Sequence, residues 1–214
     1  MPSIAMILQR YYPHIGGAEI QLQRLIPHLQ ARGFNVSVVT RKEKNLKSFE
    51  VVDGVSIYRV PSPGPKLLAG AIFTLLATRL LSRLRPDIIH AHEILAPTSA
   101  AFLTKYFHGW PFITTIHRGG VRGDIYKIKR RLFGMRRFNV LLQKVDAFIV
   151  ISREIDDELA ELNVPFEKRI FIPNGVDTEV FAPPSSDQKT QLREQLLIPF
   201  HATVIVYLGR LVAE

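Results

Sequence analysis

The sequence of 214 residues contains no cysteine and no hydrophobic run of membrane-spanning length. Without cysteine, disulfide bonds, thiol nucleophiles and cysteine-ligated zinc sites are excluded, and we expect a cytoplasmic protein. The longest apolar run, residues 67–78, is followed by Arg79 and Arg83, and it is shorter than the roughly 20 residues that a membrane span requires. We therefore predict no transmembrane helix. The first ten residues lack a basic segment and a long apolar core, so we interpret them as a core strand rather than a signal peptide.

The positive charge is concentrated in one segment. The chain has a formal net charge of +9, and eight cations against one carboxylate lie in residues 122–144. Apolar residues alternate with these cations, which is typical of an amphipathic helix at an anionic membrane surface or of a site for a phosphate-bearing acceptor. A solvated helix face is one alternative, and a nucleic-acid site, for which no recognised motif is present, is another. The cations that we single out are Lys127, Lys129, Arg130, Arg131, Arg136 and Arg137.

Short apolar strands alternate with helical patterns along most of the chain. Residues 3–9 and 34–40 are strand-like, and Leu22 and Ile26 between them recur at helical spacing. Gly33 is expected to end the helix between these two strands. The alternation predicts an α/β fold, with a Rossmann-like parallel sheet and helices on both of its faces.

The chain is expected to divide near its carboxyl-terminal end. Residues 1–181 form the first domain in this interpretation, and residues 182–188, which are rich in proline and serine, form a linker. Residues 189–214 then hold a polar helix and an apolar strand at 203–208. These two elements predict the start of a second, truncated Rossmann-like domain.

Two glycines follow the first predicted strand. Gly16 and Gly17 precede the first helix, at the carboxyl edge where open α/β sheets bind their ligands. Glycine lets the backbone approach a ligand, and a helix N-terminus favours an anion such as phosphate. The alternative is a tight turn in which Glu19 only complements the helix dipole. The dinucleotide fingerprint Gly-x-Gly-x-x-Gly is absent from this turn, which disfavours a nicotinamide-dependent oxidoreductase.

Histidines stand at the ends of two predicted strands. His90 and His92 are two residues apart and share a strand face; we expect one to be buried and the other, with Glu93, to face the cleft. His117 ends another strand, and the glycine pair that follows Arg118 predicts a mobile, ligand-facing loop. His117 could donate a hydrogen bond to a sugar hydroxyl or stabilise developing charge, and a structural role is the alternative. No further ligands accompany the histidines, so we predict no metal.

Six short motifs, in this order along nearly the whole chain, resemble those of the retaining glycosyltransferases of family 4. Members of that family have the GT-B architecture of two Rossmann-like domains. The motifs are Gly16-Gly17-Ala18-Glu19, Asp87-Ile88-Ile89-His90-Ala91-His92, Thr115-Ile116-His117, Val150-Ile151-Ser152, Pro173-Asn174-Gly175-Val176-Asp177 and Gly209-Arg210-Leu211.

The resemblance implies that the amino-terminal domain binds the acceptor and that a carboxyl-terminal domain binds most of a nucleotide-sugar donor. It implies that Gly16, Gly17 and Arg210 bind the donor diphosphate, for which a guanidinium is well suited. It also implies that His117 is the catalytic residue and contacts the transferred sugar. The nucleotide sugar is a co-substrate, and no cofactor is expected. The remaining acceptor or cleft residues are His14, His92, Glu93 and Arg118.

From these observations we expect a glycosyltransferase that moves a sugar from a nucleotide-sugar donor to a glycan or lipid-linked acceptor with retention of configuration. We expect it to be peripheral at the inner membrane face, without a nucleic-acid partner. In the family a lysine and a carboxylate pair follow the arginine, and they would lie beyond residue 214. We therefore expect the 214-residue chain to be inactive alone. The alternative is a non-catalytic module that binds a glycan or a phosphate group.

Overall fold

The computed structural model describes residues 1–130 and 134–207. The chain divides into two compact units, Met1–Asn174 and Gly175–Glu214. The first unit contains the whole sheet and all of the predicted site residues except Arg210.

The first unit contains an eight-stranded sheet. Its strands are β1 (Ser3–Ile7), β2 (Asn35–Arg41), β3 (Phe49–Val52), β4 (Val55–Val60), β5 (Ile88–His92), β6 (Phe112–Ile116), β7 (Ala147–Val150) and β8 (Arg169–Phe171). Their order in the sheet is β3-β4-β2-β1-β5-β6-β7-β8. Neighbouring strands are parallel, except that β3 and β4 form an antiparallel hairpin at one edge. The predicted Rossmann-like α/β fold is confirmed, with β3 as an addition that the sequence did not indicate.

Six α-helices occur among the described residues of the first unit. They are α1 (Gly17–Ala31), α2 (Lys66–Leu84), α3 (Ala96–His108), α4 (Asp124–Lys129), α5 (Gly134–Lys144) and α6 (Arg153–Glu161). Short 3₁₀ turns occupy residues 120–122 and 166–168. The helices alternate with the parallel strands, as expected for crossovers that cover a sheet.

Each face of the sheet has its own apolar core. Successive side chains of β1 point to opposite faces, so Met6 belongs to the core that contains Leu22 of α1. Ile7 belongs to the other core, which contains Phe73 of α2 and Phe112 of β6. All five side chains are fully buried, and burial of each contributes roughly 1.5–3 kcal/mol. The strand end that carries the site is therefore held rigidly from both sides.

α1 ends at Ala31, and Gly33 caps it, as the sequence predicts. Gly33 has a φ of +85°, in the left-handed region that glycine adopts most easily. Its N–H donates to the carbonyl of Gln30 at 2.9 Å, and the N–H of Phe34 donates to the carbonyl of Leu29 at 3.1 Å. These two bonds form a Schellman motif, which directs the chain into β2 alongside β1.

One side of α2 is buried and the other is apolar and exposed. Phe73, Ala77 and Leu81 are fully buried beneath the helix, whereas Leu67 and Leu75 are exposed. By length and composition α2 could also cross a membrane, with a mean hydropathy of 1.5. Its packing on the sheet and on α3 makes it a core helix of the first unit, with an apolar outer face.

The second unit contains α7 (Ser186–Gln195). This helix begins with a capping box, in which the hydroxyl of Ser185 accepts from the N–H of Gln188 at 3.2 Å. The strand predicted at 203–208 is wrong for residues 203–207, which form no strand and are exposed. A strand requires a neighbour for its backbone hydrogen bonds, and no described residue pairs with this segment.

Candidate active site

Loops from four strands meet at the carboxyl edge of the sheet. β2, β1, β5 and β6 are parallel neighbours, so the residues that follow them lie at one edge. The strand order reverses between β1 and β5, which is where open α/β sheets form their ligand crevice. The predicted Gly16, His92 and His117 all stand at this edge.

Three histidine rings form a stack beneath this edge. The rings of His90 and His92 have centroids 4.1 Å apart, and those of His92 and His117 are 5.2 Å apart and nearly parallel. Nδ1 of His92 lies 2.9 Å from Nε2 of His117. Nε2 of His90 lies 2.7 Å from the hydroxyl of Thr115, on the neighbouring strand. The stack ends at His117, which is partly exposed.

Burial keeps all three histidines neutral. Burial lowers the pKa of His90 to about 3, and the neighbouring His117 adds to this shift. Burial also lowers the pKa of His117 to about 4, and the charge of Arg118 adds to that shift. Burial lowers the pKa of His92 well below its ordinary value, and the two neighbouring histidines lower it further. The side chain of His92 is 1% exposed. The prediction that one histidine of the pair faces the cleft is therefore wrong, because His117 covers His92.

The hydrogen-bond network selects the tautomer of His117. Nε2 of His92 is buried and has no partner among the described residues. If His117 were the donor, His92 would carry a buried N–H without an acceptor, which is costlier than an unused acceptor. We therefore infer that His92 donates from Nδ1 and that His117 carries its hydrogen on Nδ1. His117 thus presents a neutral N–H donor on the side away from His92.

Glu93 follows β5 in a strained conformation. Its φ of +77° lies in the left-handed region, which costs a non-glycine residue on the order of 1 kcal/mol or more. The conformation is held by the N–H of Glu93, which donates to the carbonyl of Thr115, and by the hydroxyl of Thr98, which donates to the carbonyl of Glu93. Such strain is found at functional sites, and here it turns the chain at the strand end beside His92.

The loop after His117 packs against α6. The N–H of Gly120 donates to Oε1 of Glu158 on α6. A Cβ at Gly119 or Gly120 would lie within 3 Å of the carboxylate of Glu154, and a Cβ at Gly123 would lie 2.7 Å from the carbonyl of Arg118. Close backbone packing therefore requires glycine at Gly123, whereas at Gly119 and Gly120 a Cβ would meet the end of the flexible Glu154 side chain. The mobility of the loop stays a prediction.

The glycine pair lies at the start of α1, as predicted. Gly16 is the N-terminal cap of the helix, and its carbonyl accepts from the N–H of Ile20 at 2.9 Å. The carboxylate of Glu19 contacts the position that a Gly16 Cβ would occupy, whereas a Cβ at Gly17 would meet nothing within 4 Å. This geometry fits the tight turn in which Glu19 complements the helix dipole. It is also compatible with a phosphate site at Gly16 and Gly17, provided that the anion displaces the Glu19 carboxylate.

Residues 15–180 match the model of the family described as Glycosyltransferase Family 4. The chain belongs to this family. It is 25% identical over 219 residues to the D-inositol 3-phosphate glycosyltransferase of Xylanimonas cellulosilytica, which covers 91% of this chain and 51% of that protein. It is 25% identical over 188 residues to the GDP-mannose:cellobiosyl-diphosphopolyprenol alpha-mannosyltransferase of Xanthomonas campestris, in an alignment that covers 84% of this chain and 47% of that protein.

The Rossmann-like fold matches that of solved GT-B glycosyltransferase structures. The sucrose-phosphate synthase of Thermosynechococcus elongatus superposes with a TM-score of 0.72 at 19% identity, which covers 93% of this chain and 53% of that one. The chain spans about half the length of the relatives that it matches. The family membership supports the site at the carboxyl edge, while the roles of individual residues stay predictions.

The basic segment, residues 122–144, has an exposed cationic side and a buried apolar side. Lys129, Arg130 and Arg136 are exposed. Their apolar neighbours, among them Ile128 and Phe138, are buried in the core. The segment therefore does not offer these apolar residues for insertion into a bilayer. Arg131 and Arg210 lie outside the described residues, as do the side chains of Lys127 and Arg137.

Two arginines near the site were not found from the sequence. Arg59 is 3% exposed, and its guanidinium donates to the carbonyls of Tyr12 and Lys47 and to the carboxylate of Glu50. It thereby fixes the loop that carries the predicted cleft residue His14, which is partly buried. Arg41 ends β2, with its guanidinium 5.1 Å from the ring centre of Phe73. A charged residue inside an apolar strand is the signal that could have indicated either arginine.

The described residues contain no cluster of three or more histidine, cysteine or acidic side chains that could hold a metal ion. The groups that the described residues offer at the edge include the neutral His117, the exposed Arg118 and backbone N–H groups. Such groups can orient sugar hydroxyls and stabilise developing negative charge.

Proposed function

We propose that this chain is the acceptor-side half of a glycosyltransferase that moves a sugar from a nucleotide-sugar donor to an acceptor, with retention of configuration. The observation that carries the proposal is the 2.9 Å contact between His117 and the buried His92 at the carboxyl edge of the sheet, from which we infer a neutral N–H donor on His117. A neutral imidazole N–H can donate a hydrogen bond to the oxygen of a sugar hydroxyl and does not remove the proton of that hydroxyl. The family match over residues 15–180 supports the same reaction class.

The donor diphosphate is proposed to bind near Gly16 and Gly17 and to Arg210. On this proposal the leaving diphosphate takes the proton of the attacking acceptor hydroxyl on the same face of the sugar, so no carboxylate pair is needed for the transfer. The printed name of the Xanthomonas campestris relative, which contains GDP-mannose, supports a nucleotide sugar as donor. A donor-binding half would mostly determine which nucleotide base and which sugar the donor carries.

The acceptor is proposed to be a glycan or a lipid-linked sugar, presented at the inner face of a membrane. The exposed cations Lys129, Arg130 and Arg136 would attract an anionic surface electrostatically. The relative that acts on cellobiosyl-diphosphopolyprenol supports a lipid-linked acceptor. The buried apolar side of the segment favours attraction to the surface over insertion.

The proposal is tested by sugar transfer and by the configuration of the product. The full-length protein is incubated with GDP-mannose or UDP-glucose and a diphosphopolyprenol-linked sugar, and the product is analysed by NMR. We expect an anomeric configuration equal to that of the donor, and no transfer by the 214-residue chain alone. Inversion would refute the retaining mechanism. Glycan binding without transfer by the full-length protein would favour the alternative of a non-catalytic module.

A further inference from the structure

An apolar groove of about 750 Å³ runs between α2, α3 and α5, and we call it the helix groove. Its volume lies within the roughly 300–1,000 Å³ of ligand pockets. It begins at the site edge, since Gln9 and Leu95 follow β1 and β5, and it continues between the three helices. The side chains that line the helical part are Leu67, Ala71, Thr74, Leu75, Phe102, Leu103, Val140 and Leu141.

A glycine in the middle of α2 keeps the helix groove open. Gly70 lines the groove, and a Cβ built on it would meet nothing within 4 Å. Glycine inside a helix costs about 1 kcal/mol relative to alanine, and neither packing nor a left-handed φ requires it here. The residue therefore lowers helix stability while it leaves free space in the helix groove.

The groove has cations at the end that lies nearest the site. Arg41 and Lys66 both line it, and Nε of Arg41 is buried without a hydrogen-bond partner among the described residues. Burial lowers the pKa of Arg41, and the charge of Glu93 raises it while that of Arg10 lowers it. Arg10 itself pairs with Glu43 at 3.4 Å. A buried donor without an acceptor is costly, and an anionic ligand group would supply one.

We propose that the helix groove binds the isoprenoid chain of a diphosphate-linked polyprenol acceptor, with the diphosphate at Arg41 and Lys66. This inference rests on the proposed function and names its acceptor class. The helix groove is apolar along its length and cationic at one end, which suits a lipid with a single hydrocarbon chain and an anionic head group. The uncharged head of a diacylglycerol glycolipid would supply no anion to Arg41 and Lys66, and a hydrogen bond to a neutral hydroxyl is weaker than one to a phosphate oxygen, which disfavours that lipid. The sugar beyond the diphosphate would then extend along the edge toward His117.

The exposed leucines of α2 are consistent with delivery of such a chain from a bilayer. Leu67 is 83% exposed and Leu75 is 63% exposed, and both also line the groove. A chain could therefore pass from the lipid phase into the groove along a continuous apolar surface. The groove lies within the first unit, so the 214-residue chain itself is suitable for the test.

The test is calorimetric binding of farnesyl diphosphate to the 214-residue chain, with farnesol and inorganic diphosphate as matched probes. We expect farnesyl diphosphate to bind more tightly than either probe, because it supplies both the chain and the head. Arg41→Gln should weaken binding by about tenfold or more, as expected for a hydrogen bond to a charged group. Equal affinity for inorganic diphosphate and farnesyl diphosphate would overturn the role of the groove. Tighter binding of farnesol or of a diacylglycerol glycolipid would overturn the role of the cations.

Two groove variants separate blocking from unfolding. Gly70→Leu should abolish binding of farnesyl diphosphate and keep or raise the melting temperature, since it fills the groove and removes a helix-interior glycine. Leu75→Glu should also abolish binding, whereas the neighbouring Leu76→Glu, which does not line the groove, should bind normally. Undiminished binding to a folded Gly70→Leu protein contradicts the proposal.

The groove proposal and the proposed transfer reaction can fail independently, because binding of farnesyl diphosphate does not require sugar transfer. Farnesyl diphosphate binding that Gly70→Leu removes, in a protein that transfers no sugar, would support the groove and reject the proposed reaction. Sugar transfer to a soluble glycan by a full-length protein that does not bind farnesyl diphosphate would reject the groove and leave the reaction intact.

Discussion

Nδ1 of the buried His92 lies 2.9 Å from Nε2 of His117, and the buried, unpartnered Nε2 of His92 favours His92 as the donor of this hydrogen bond. The bond places the remaining hydrogen of His117 on Nδ1 and fixes the plane of its ring. Since His92 is fully buried between His90 and His117, it cannot itself reach a substrate. We therefore assign it as a positioning residue, which acts on the reaction only through His117.

Replacement of His92 tests this assignment. In the full-length protein His92→Leu should lower kcat by about fivefold, since a neutral hydrogen bond contributes about 1 kcal/mol and about 1.36 kcal/mol corresponds to a factor of ten. His92→Asn, whose amide can donate from nearly the position of Nδ1, should restore most of the rate. Steady-state kinetics on folded variants distinguish the two. Equal rates for both variants would exclude positioning by this hydrogen bond.

The buried histidines predict a loss of stability in acid. The pKa of His90 in the folded protein is about 3 and that of His117 about 4, below the ordinary 6.5. Between these values the unfolded chain binds more protons, so the free energy of unfolding falls as the pH falls from about 6.5 toward 4. His90→Gln, which keeps a donor toward Thr115, should flatten this dependence. Urea midpoints at pH 7 and pH 5 measure it, and parallel curves for both proteins would refute the assignment.

Arg59 should stabilise the loop that carries His14. Arg59→Met removes the donors to Tyr12 and Lys47 and leaves Glu50 without its partner, and loss of one member of a buried pair costs about 3–5 kcal/mol. Glu50→Gln, which keeps an acceptor at a side chain that is partly exposed, should cost much less. Thermal unfolding of the two variants gives the comparison. A stable Arg59→Met protein would show that the loop is held by other contacts.

Gly123 is predicted to position the loop after His117. A Cβ at this residue would lie 2.7 Å from the carbonyl of Arg118 and 2.8 Å from the backbone of Gly119, and backbone atoms cannot move aside as a flexible side chain can. Gly123→Ala should therefore lower the melting temperature and the transfer rate. Gly17→Ala is the control for folding, since its Cβ meets nothing. An unchanged melting temperature for Gly123→Ala would contradict the described packing.

The exposed cations predict salt-sensitive attachment to anionic vesicles. Arg130→Glu with Arg136→Glu should reduce binding to vesicles that contain phosphatidylglycerol, and added salt should do the same for the native chain because it screens surface charges. Co-sedimentation measures the bound fraction. Equal binding to neutral and anionic vesicles would indicate that the apolar face of α2, rather than charge, makes the contact.

Local patterns predicted the parts of the fold that depend on local physics. The βαβ start and the Gly33 cap follow from periodicity and from the conformational freedom of glycine. β3 was missed because four residues of an edge strand carry little signal. The burial of His92 and the close packing of Gly123 depend on contacts between distant strands and loops, which spacing alone does not show.

The basic segment illustrates the same limit at the site. Alternating cations and apolar residues fit both a membrane-inserted helix and a helix packed on a sheet, and only the fold shows that Ile128 and Phe138 are in the core. The roles of Arg41 and Arg59 were also missed, because they depend on hydrogen-bond acceptors and an aromatic ring that lie far away in the sequence. The carboxyl-edge location was predictable, because parallel strands end together.

The central claim is that the neutral His117 contacts the transferred sugar at the carboxyl edge. The most direct measurement is the transfer rate of the full-length protein and of its His117→Ala variant with the same nucleotide sugar and acceptor. The account predicts a fall in kcat of about a hundredfold or more, within the range for a positioned catalytic side chain, in a protein with an unchanged melting temperature. A folded His117→Ala protein that transfers sugar at the native rate would contradict it.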